Sequence, residues 1–142
     1  MSKVLEQETE FNDLECVRES IAEHGLTPVF NENGNLVTME GYDEQFLADI
    51  GIAKTNFMEV TKLHSYGDLG FKQNEDGSVK FIGDDALMSN SQFGEFYDKF
   101  SVTYAEKKYV KEMYQQGFTL ASKVQTVGGG VDLQFNEVGL GF

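Results

Sequence analysis

Tryptophan is absent from this chain, cysteine and proline occur once each, and 11 basic residues stand against 24 acidic ones. Each shortage excludes something. With Cys16 alone, no disulfide can close within the chain, and a reducing compartment is its natural setting. Cys16 falls in an apolar stripe and is expected to pack as a small hydrophobe. The single proline, Pro28, gives no reason to expect a stiff linker. A net charge of −13 opposes approach to phosphate backbones, because nucleic-acid binding depends on lysine and arginine displacing counterions. Nucleic acid and anionic membrane are therefore poor partners, and a solvated acidic surface or a basic protein partner is the natural reading of the charge. No apolar run reaches the length that spans a bilayer, and Met1-Ser2-Lys3-Val4-Leu5-Glu6 contains no run that could serve as a secretion signal. The expected protein is soluble and cytoplasmic.

Bulky apolar residues, by contrast, are plentiful. Twelve phenylalanines and six tyrosines in 142 residues can fill one sizeable core. A single domain over 1–136 is expected, with 137–142 as a C-terminal tail.

One construction appears twice: an amphipathic helix, a glycine stop, an apolar-threonine pair, a strand, a tight polar turn and another strand. The first copy runs from Ala22-Glu23-His24-Gly25-Leu26-Thr27 to Asn31-Glu32-Asn33-Gly34, the second from Tyr114-Gln115-Gln116-Gly117-Phe118-Thr119 to Gly128-Gly129-Gly130. Val4 to Phe11 reads as the strand before the first helix, which Asn12 or Asp13 can cap and whose Leu14, Val17 and Ile21 follow helical spacing. Gly25 stops it, since a helix commonly ends in the left-handed region that a β-carbon resists. Leu26 to Phe30 and Leu36 to Met39 are then predicted to pair about Asn33-Gly34.

In the middle, Glu44 to Ile50 reads as a short helix ended by Gly51, and Phe57 to Leu63 as a strand. Leu69 to Gln73 and Ser78 to Ile82 flank Asn74-Glu75-Asp76-Gly77, the sharpest hairpin signal in the chain. A long helix begins near Ser89 to Ser91, where Ser89 and Gln92 have capping-box spacing, and ends at Gly117. Phe93, Phe96, Phe100 and Tyr104 form its core stripe, with Tyr97 and Tyr109 beside them, and its length of roughly 36 Å would cover a whole sheet. Phe118 to Gln125 and Val131 to Phe135 complete a last hairpin about the triple glycine. Two strand-helix-strand-strand halves imply an α+β fold of ferredoxin-like kind, an antiparallel or mixed sheet with helices on one face. The other face needs cover from the middle segment, from solvent or from a second copy of the chain. A homodimer is predicted.

Candidate chemistry is sparse. His24 and His64 are the two histidines; His24, in the last turn of its helix, favours the carbonyl-rich end, so capping explains it better than metal ligation. His64 opens the polar loop His64-Ser65-Tyr66-Gly67-Asp68, and His64, Tyr66 and Asp68 are the candidate ligand-binding residues because loops carry function more often than scaffolds do. A hydrolase reading of His64, Ser65 and Asp68 lacks the strained elbow that would present a nucleophilic serine. Strands on both sides of Gly128-Gly129-Gly130 exclude a phosphate cradle, which leads from strand into helix. Counting back from Gly34 or Gly77 to the first position of a calcium loop lands on Val29 or Lys72, neither of which can coordinate the ion. No metal, no cofactor and no catalytic residue is assigned.

Asp68-Leu69-Gly70-Phe71, Asn74-Glu75-Asp76-Gly77, Phe81-Ile82-Gly83-Asp84-Asp85, Tyr104-Ala105 and Gln116-Gly117-Phe118, in this order and spacing, resemble the uncharacterised family called hypothetical chloroplast open reading frame 35, of algal plastids and cyanobacteria. His24-Gly25-Leu26 and Gly41-Tyr42 fit more loosely, and Asp43 to Leu63 aligns poorly. The chain lacks the tryptophan that such members often carry after Asp84-Asp85 and is more acidic, which marks a divergent or phage-carried relative. The resemblance implies a small soluble protein of a photosynthetic lineage or its viruses, with plastid stroma as the setting if plastid-encoded, and brings no catalytic residues. The expected function is a non-enzymatic protein-binding or assembly module whose protein partner is unknown; the alternative is a small-ligand binder or enzyme with a helix-sheet pocket near the 64–68 loop.

Overall fold

The computed structural model describes residues 3–126, 128 and 130–137. From the N-terminus come β1 (Val4–Glu8) and α1 (Leu14–Glu23), then a middle segment of β2 (Val37–Glu40), β3 (Gln45–Ala48), β4 (Ile50–Ile52) and α2 (Lys54–Thr61). β5 (Leu69–Gln73), β6 (Val79–Asp84) and the short α3 (Asp85–Met88) follow, then the long α4 (Ser91–Gln115), β7 (Phe118–Gln125) and β8 (Val131–Glu137). Helices beside antiparallel sheets give the α+β class that the sequence predicts. The chain divides into two units, Met1–Tyr104 and Ala105–Phe142, with the boundary inside α4.

In the first unit the order across the main sheet is β1-β6-β5-β4, every pair antiparallel. The main-sheet strands and the longer helices run β1-α1-β4-α2-β5-β6-α4 along the chain, where a ferredoxin-like domain runs strand-helix-strand-strand-helix-strand. The ferredoxin-like comparison thus concerns the layers and not the chain path.

The central hairpin forms where Asp76-Gly77 predicts it. Gly77 lies at φ +92°, and Ser78 donates to the Asp76 carboxylate from both its amide and its hydroxyl, which holds that carboxyl below its ordinary pKa. Phe71 and Phe81 face each other across β5 and β6 on the side of the sheet that meets the helices. Phe100 stacks on Phe71 at 5.6 Å, and Phe11 lies 4.3 Å from Tyr104 between ring centroids. Phe93, Phe100 and Tyr104 are buried, Phe96 and Tyr97 partly so, which confirms the helical stripe over 93–104. Burial also holds the Tyr97 hydroxyl above its ordinary pKa. The Tyr104 hydroxyl accepts from the amides of Asn12 and Asp13 at 2.9 and 3.1 Å, giving a buried ring a satisfied polar tip.

α1 has the predicted ends. The Asp13 side chain accepts from the Cys16 amide, and beyond Gly25, at φ +79°, the amides of Leu26 and Gly25 donate to Ile21 and Ala22 in the paired pattern of a glycine-ended helix. α4 starts one residue from the predicted cap: the Asn90 side chain accepts from Gln92, while Ser89 donates back to α3.

The middle segment departs from its sequence reading in three places. Leu26 to Phe30 does not pair with Leu36 to Met39; Val29 bridges Gly51 instead, and β2 pairs with β3. Asn31 to Gly34 still turns, with the Gly34 amide donating to the Asn31 carbonyl, but the Asn31 side chain, through Nδ2, reaches on to the carbonyl of Leu36, and no ladder joins the flanking segments. The predicted helix over 44–50 is β3 and β4, and the predicted strand over 57–63 is α2, which buries Phe57. In each case a distant partner overrides local propensity.

That partner for β2 and β3 is the outer face of the main sheet. Gly51 and Gly70 are direct cross-strand neighbours, and a β-carbon on Gly70 would come 2.8 Å from the Phe46 ring and 2.9 Å from Ala48 Cβ. One on Gly51 would overlap Met39. Two glycines thus flatten the sheet so that β2 and β3 lie on it, and the middle segment supplies cover to that face.

In the second unit the remainder of α4 accompanies the β7-β8 hairpin. The Lys123 ammonium lies 2.6 Å from Glu106, and the Tyr109 ring meets Phe135 edge-on at 5.4 Å. The long helix therefore does not cover one sheet along its whole length: the stripe over 93–104 belongs to the first core, and Tyr109 is half exposed. Residues 136 and 137 lie in β8, while Val127, Gly129 and the remainder of the predicted tail lie outside the described residues.

Candidate functional site

The 64–68 loop is built from close backbone crossings. A β-carbon on Gly67 would come 2.9 Å from the α-carbon of Gly41, so only glycine lets the loop pass under residues 41–42. Asp68 then reaches in two directions, its carboxylate accepting from the amides of Lys54 and Glu40, each at 2.8 Å. It caps α2 from a distance, which is why no local capping signal marks that helix, and fastens the end of β2. Behind the loop, the buried Asp84 carboxylate accepts from the Ser65 hydroxyl and the Tyr66 amide at 2.8 Å and from the Leu87 amide at 2.7 Å. One carboxylate therefore joins the loop to the start of α3.

His64, Ser65 and Asp68 are accordingly not a hydrogen-bonded triad. Ser65 is buried against Asp84 and the Gly67 carbonyl, Asp68 holds backbone amides, and the exposed His64 ring stands edge-on to Tyr66 at 4.5 Å. Tyr66 in turn meets Tyr42 edge-on at 5.6 Å, and both tyrosines are nearly half exposed. Of the three candidates, His64 and Tyr66 thus share a surface row of rings with Tyr42, while Asp68 supports the row from beneath. Gly41-Tyr42 and the loop are far apart in sequence, and only the glycine crossing brings their rings together.

His24 is the C-cap residue of α1, its backbone amide donating to the carbonyls of Ala22 and Ser20, but its side chain does not serve the helix end. Its side chain leaves α1 for α4, with Nε2 2.9 Å from the Thr103 hydroxyl and the ring between Phe96 and Phe100. Because that hydroxyl donates to the carbonyl of Lys99, Nε2 is the donor to Thr103. Burial pulls the His24 pKa below the ordinary imidazole value; Glu23 opposes this and Lys99 adds to it. His24 borders a groove of about 510 Å³ with Lys62, Leu63, Glu95, Phe96 and Lys99. Lys62 lies at φ +64°, the sole non-glycine residue with positive φ among the described residues. Among the described residues no group of three or more His, Cys, Asp or Glu side chains is placed to hold a metal ion. No helix among them is long and apolar enough to cross a membrane.

Charge divides sharply between the units. Of the 24 acidic and 11 basic residues, 20 and 7 lie in Met1–Tyr104, and four of each in Ala105–Phe142. The whole excess of −13 therefore belongs to the first unit, and the second is neutral. That neutral unit carries exposed Tyr109, Tyr114, Leu120 and Val124, with Tyr114 67% exposed. Each of its two strands has one partner, so each presents one unpaired edge among the described residues. Whole-chain composition conceals this surface, because the acidic excess of one unit masks the neutrality of the other.

No curated protein and no solved structure matches the chain. A family model matches residues 20–134, from the last turn of α1 into β8, and the chain belongs to that family, described as protein of unknown function (DUF1257).

Proposed function

We propose that the chain is a non-enzymatic protein-binding or assembly module, and that its C-terminal unit carries the binding surface. One observation carries this reading: large apolar side chains stand exposed on a unit with no net charge, within a chain whose acidic excess lies wholly elsewhere. Exposed aromatic residues with few unbalanced charges are the composition of interface centres. The acidic unit would speed encounter with a basic partner by attraction that salt screens. The test is affinity capture with the full chain, comparing wild type with a Tyr114→Asp, Val124→Asp variant. Proteins retained by the wild type should be lost with the variant, whereas His64→Ala should retain them; equal retention by the wild type and the double variant overturns the reading.

A second reading rests on the row His64, Tyr66 and Tyr42, whose exposed ring faces and edges could stack a flat small ligand supported by Asp68. Within the family, we place the chain beside hypothetical chloroplast open reading frame 35, as a divergent or phage-carried member working in cytoplasm or plastid stroma. The order of its motifs from Asp68 to Phe118 supports that placement.

A further inference from the structure

We propose that β8 pairs antiparallel with β8 of a second copy of this chain, about an axis through Leu133, so that two C-terminal hairpins join into one four-stranded sheet. This rests on the reading of the C-terminal unit as a binding surface and names a second copy of the chain as one occupant of it.

A two-stranded sheet is marginal in water unless further strands join it or a helix packs on its apolar face. The β7-β8 hairpin has such a face, with Phe118, Leu120, Val131, Leu133 and Phe135; Tyr109 and Glu106 of α4 meet it, and among the described residues no further strand joins either edge. Its two edges are not equivalent. β7 carries a break in register between Leu120 and Ser122 and has Lys123 within it, both devices that discourage edge pairing. β8 runs regularly from Val131 to Glu137 with no lysine, proline or glycine, its apolar residues alternating with Asp132, Gln134 and Asn136. Among the described residues it is the unprotected edge.

Charge selects the same surface. Two copies approaching through their first units would bring −13 against −13, whereas the second units are each neutral. Register selects the axis. Centred on Leu133, the pairing sets Val131 opposite Phe135 of the second copy and Asp132 opposite Gln134, with no like charges facing. Centred on Asp132 it would oppose two carboxylates, and centred on Gln134 it would put Val131 against Glu137. A contact in which the same strand meets itself is two-fold symmetric and closes at a dimer.

The test is sedimentation equilibrium of the full chain at low salt, for wild type, Gln134→Lys and Gln134→Glu. Gln134 is exposed and faces Ser122 within its own hairpin, so neither change disturbs the unit. Ser122→Lys and Ser122→Glu make the same changes in net charge on the neighbouring strand. The wild type should dimerise, Gln134→Lys should tighten the dimer through Asp132 of the second copy, and Gln134→Glu should weaken it, with roughly a tenfold span between the two. The Ser122 pair should span much less. A monomer throughout the concentration range, or a dimer equally sensitive at positions 134 and 122, overturns the proposal. In either case the Tyr114 and Val124 capture experiment still decides whether another protein uses this unit.

Discussion

Within Met1–Tyr104, Phe57, Val17 and Ile21 are wholly enclosed, and the buried hydroxyl and carboxylate of Ser65 and Asp84 bond to each other and to backbone. Within Ala105–Phe142, β7 is exposed along nearly all its length and the apolar side chains of β8 are half covered. Both regions follow the same local rules, since each has a glycine-ended helix and a hairpin with a glycine turn. They differ in whether a second layer closes the sheet. Helices and the β2-β3 ribbon close the first, and the hairpin of the second has the rest of α4. A sheet with apolar residues and free edges is a place for another chain, so the contrast locates binding where the molecule is least finished by itself.

The largest test of that contrast is a matched pair of truncations. Phe57→Ala, at a ring that is fully buried, should cost about 3–5 kcal/mol, whereas Phe135→Ala, at a partly buried ring, should cost about 1–2 kcal/mol. Urea unfolding followed by circular dichroism measures both, and hydrogen exchange assigns each loss to its unit. Equal costs would show that the second unit has a closed core after all.

How much of this was written in the sequence depends on how far away the deciding partner lies. Asp13, Gly25, Asp76-Gly77 and the stripe Phe93, Phe96, Phe100, Tyr104 act within one turn or one helix, and each is legible. The middle segment is decided elsewhere. Lys54 begins a helix because Asp68, fourteen residues later, takes its amide, and Phe46 lies in a strand because Gly51 and Gly70 leave a flat place for it. The loop 64–68 was found by its polarity, but its chemistry was not legible, because Ser65 is claimed by Asp84, nineteen residues away. The neutral second unit was readable in principle, from a charge count taken by region instead of over the whole chain.

Asp84→Asn gives a middle-sized test. An asparagine retains one acceptor oxygen and turns an amide group toward donors that the carboxylate now satisfies, at a site 2% exposed. The expected loss is about 1–3 kcal/mol, and the amides of Tyr66 and Leu87 should exchange faster while β7 and β8 are unaffected. Unchanged exchange at Tyr66 would mean that the loop stands without the Asp84 carboxylate, and would leave the Ser65 hydroxyl free for other chemistry.

The smallest effect is one of pH and concerns His24. Its pKa in the folded chain lies below the ordinary value of 6.5, chiefly through burial, so the unfolded chain binds the proton more readily. The associated stability is fully present above about pH 6.5 and is lost as pH falls from there through the folded pKa. Melting temperature measured from pH 7.5 to 5 should therefore decline in the wild type and decline less in His24→Gln, an uncharged replacement able to donate to Thr103. The difference between the two proteins removes the contribution of every group they share. If the two profiles run parallel, the ring between Phe96 and Phe100 is not desolvated in solution, and the groove beside it opens wider than about 510 Å³. The first unit would then lose part of the closure that sets it apart from the second.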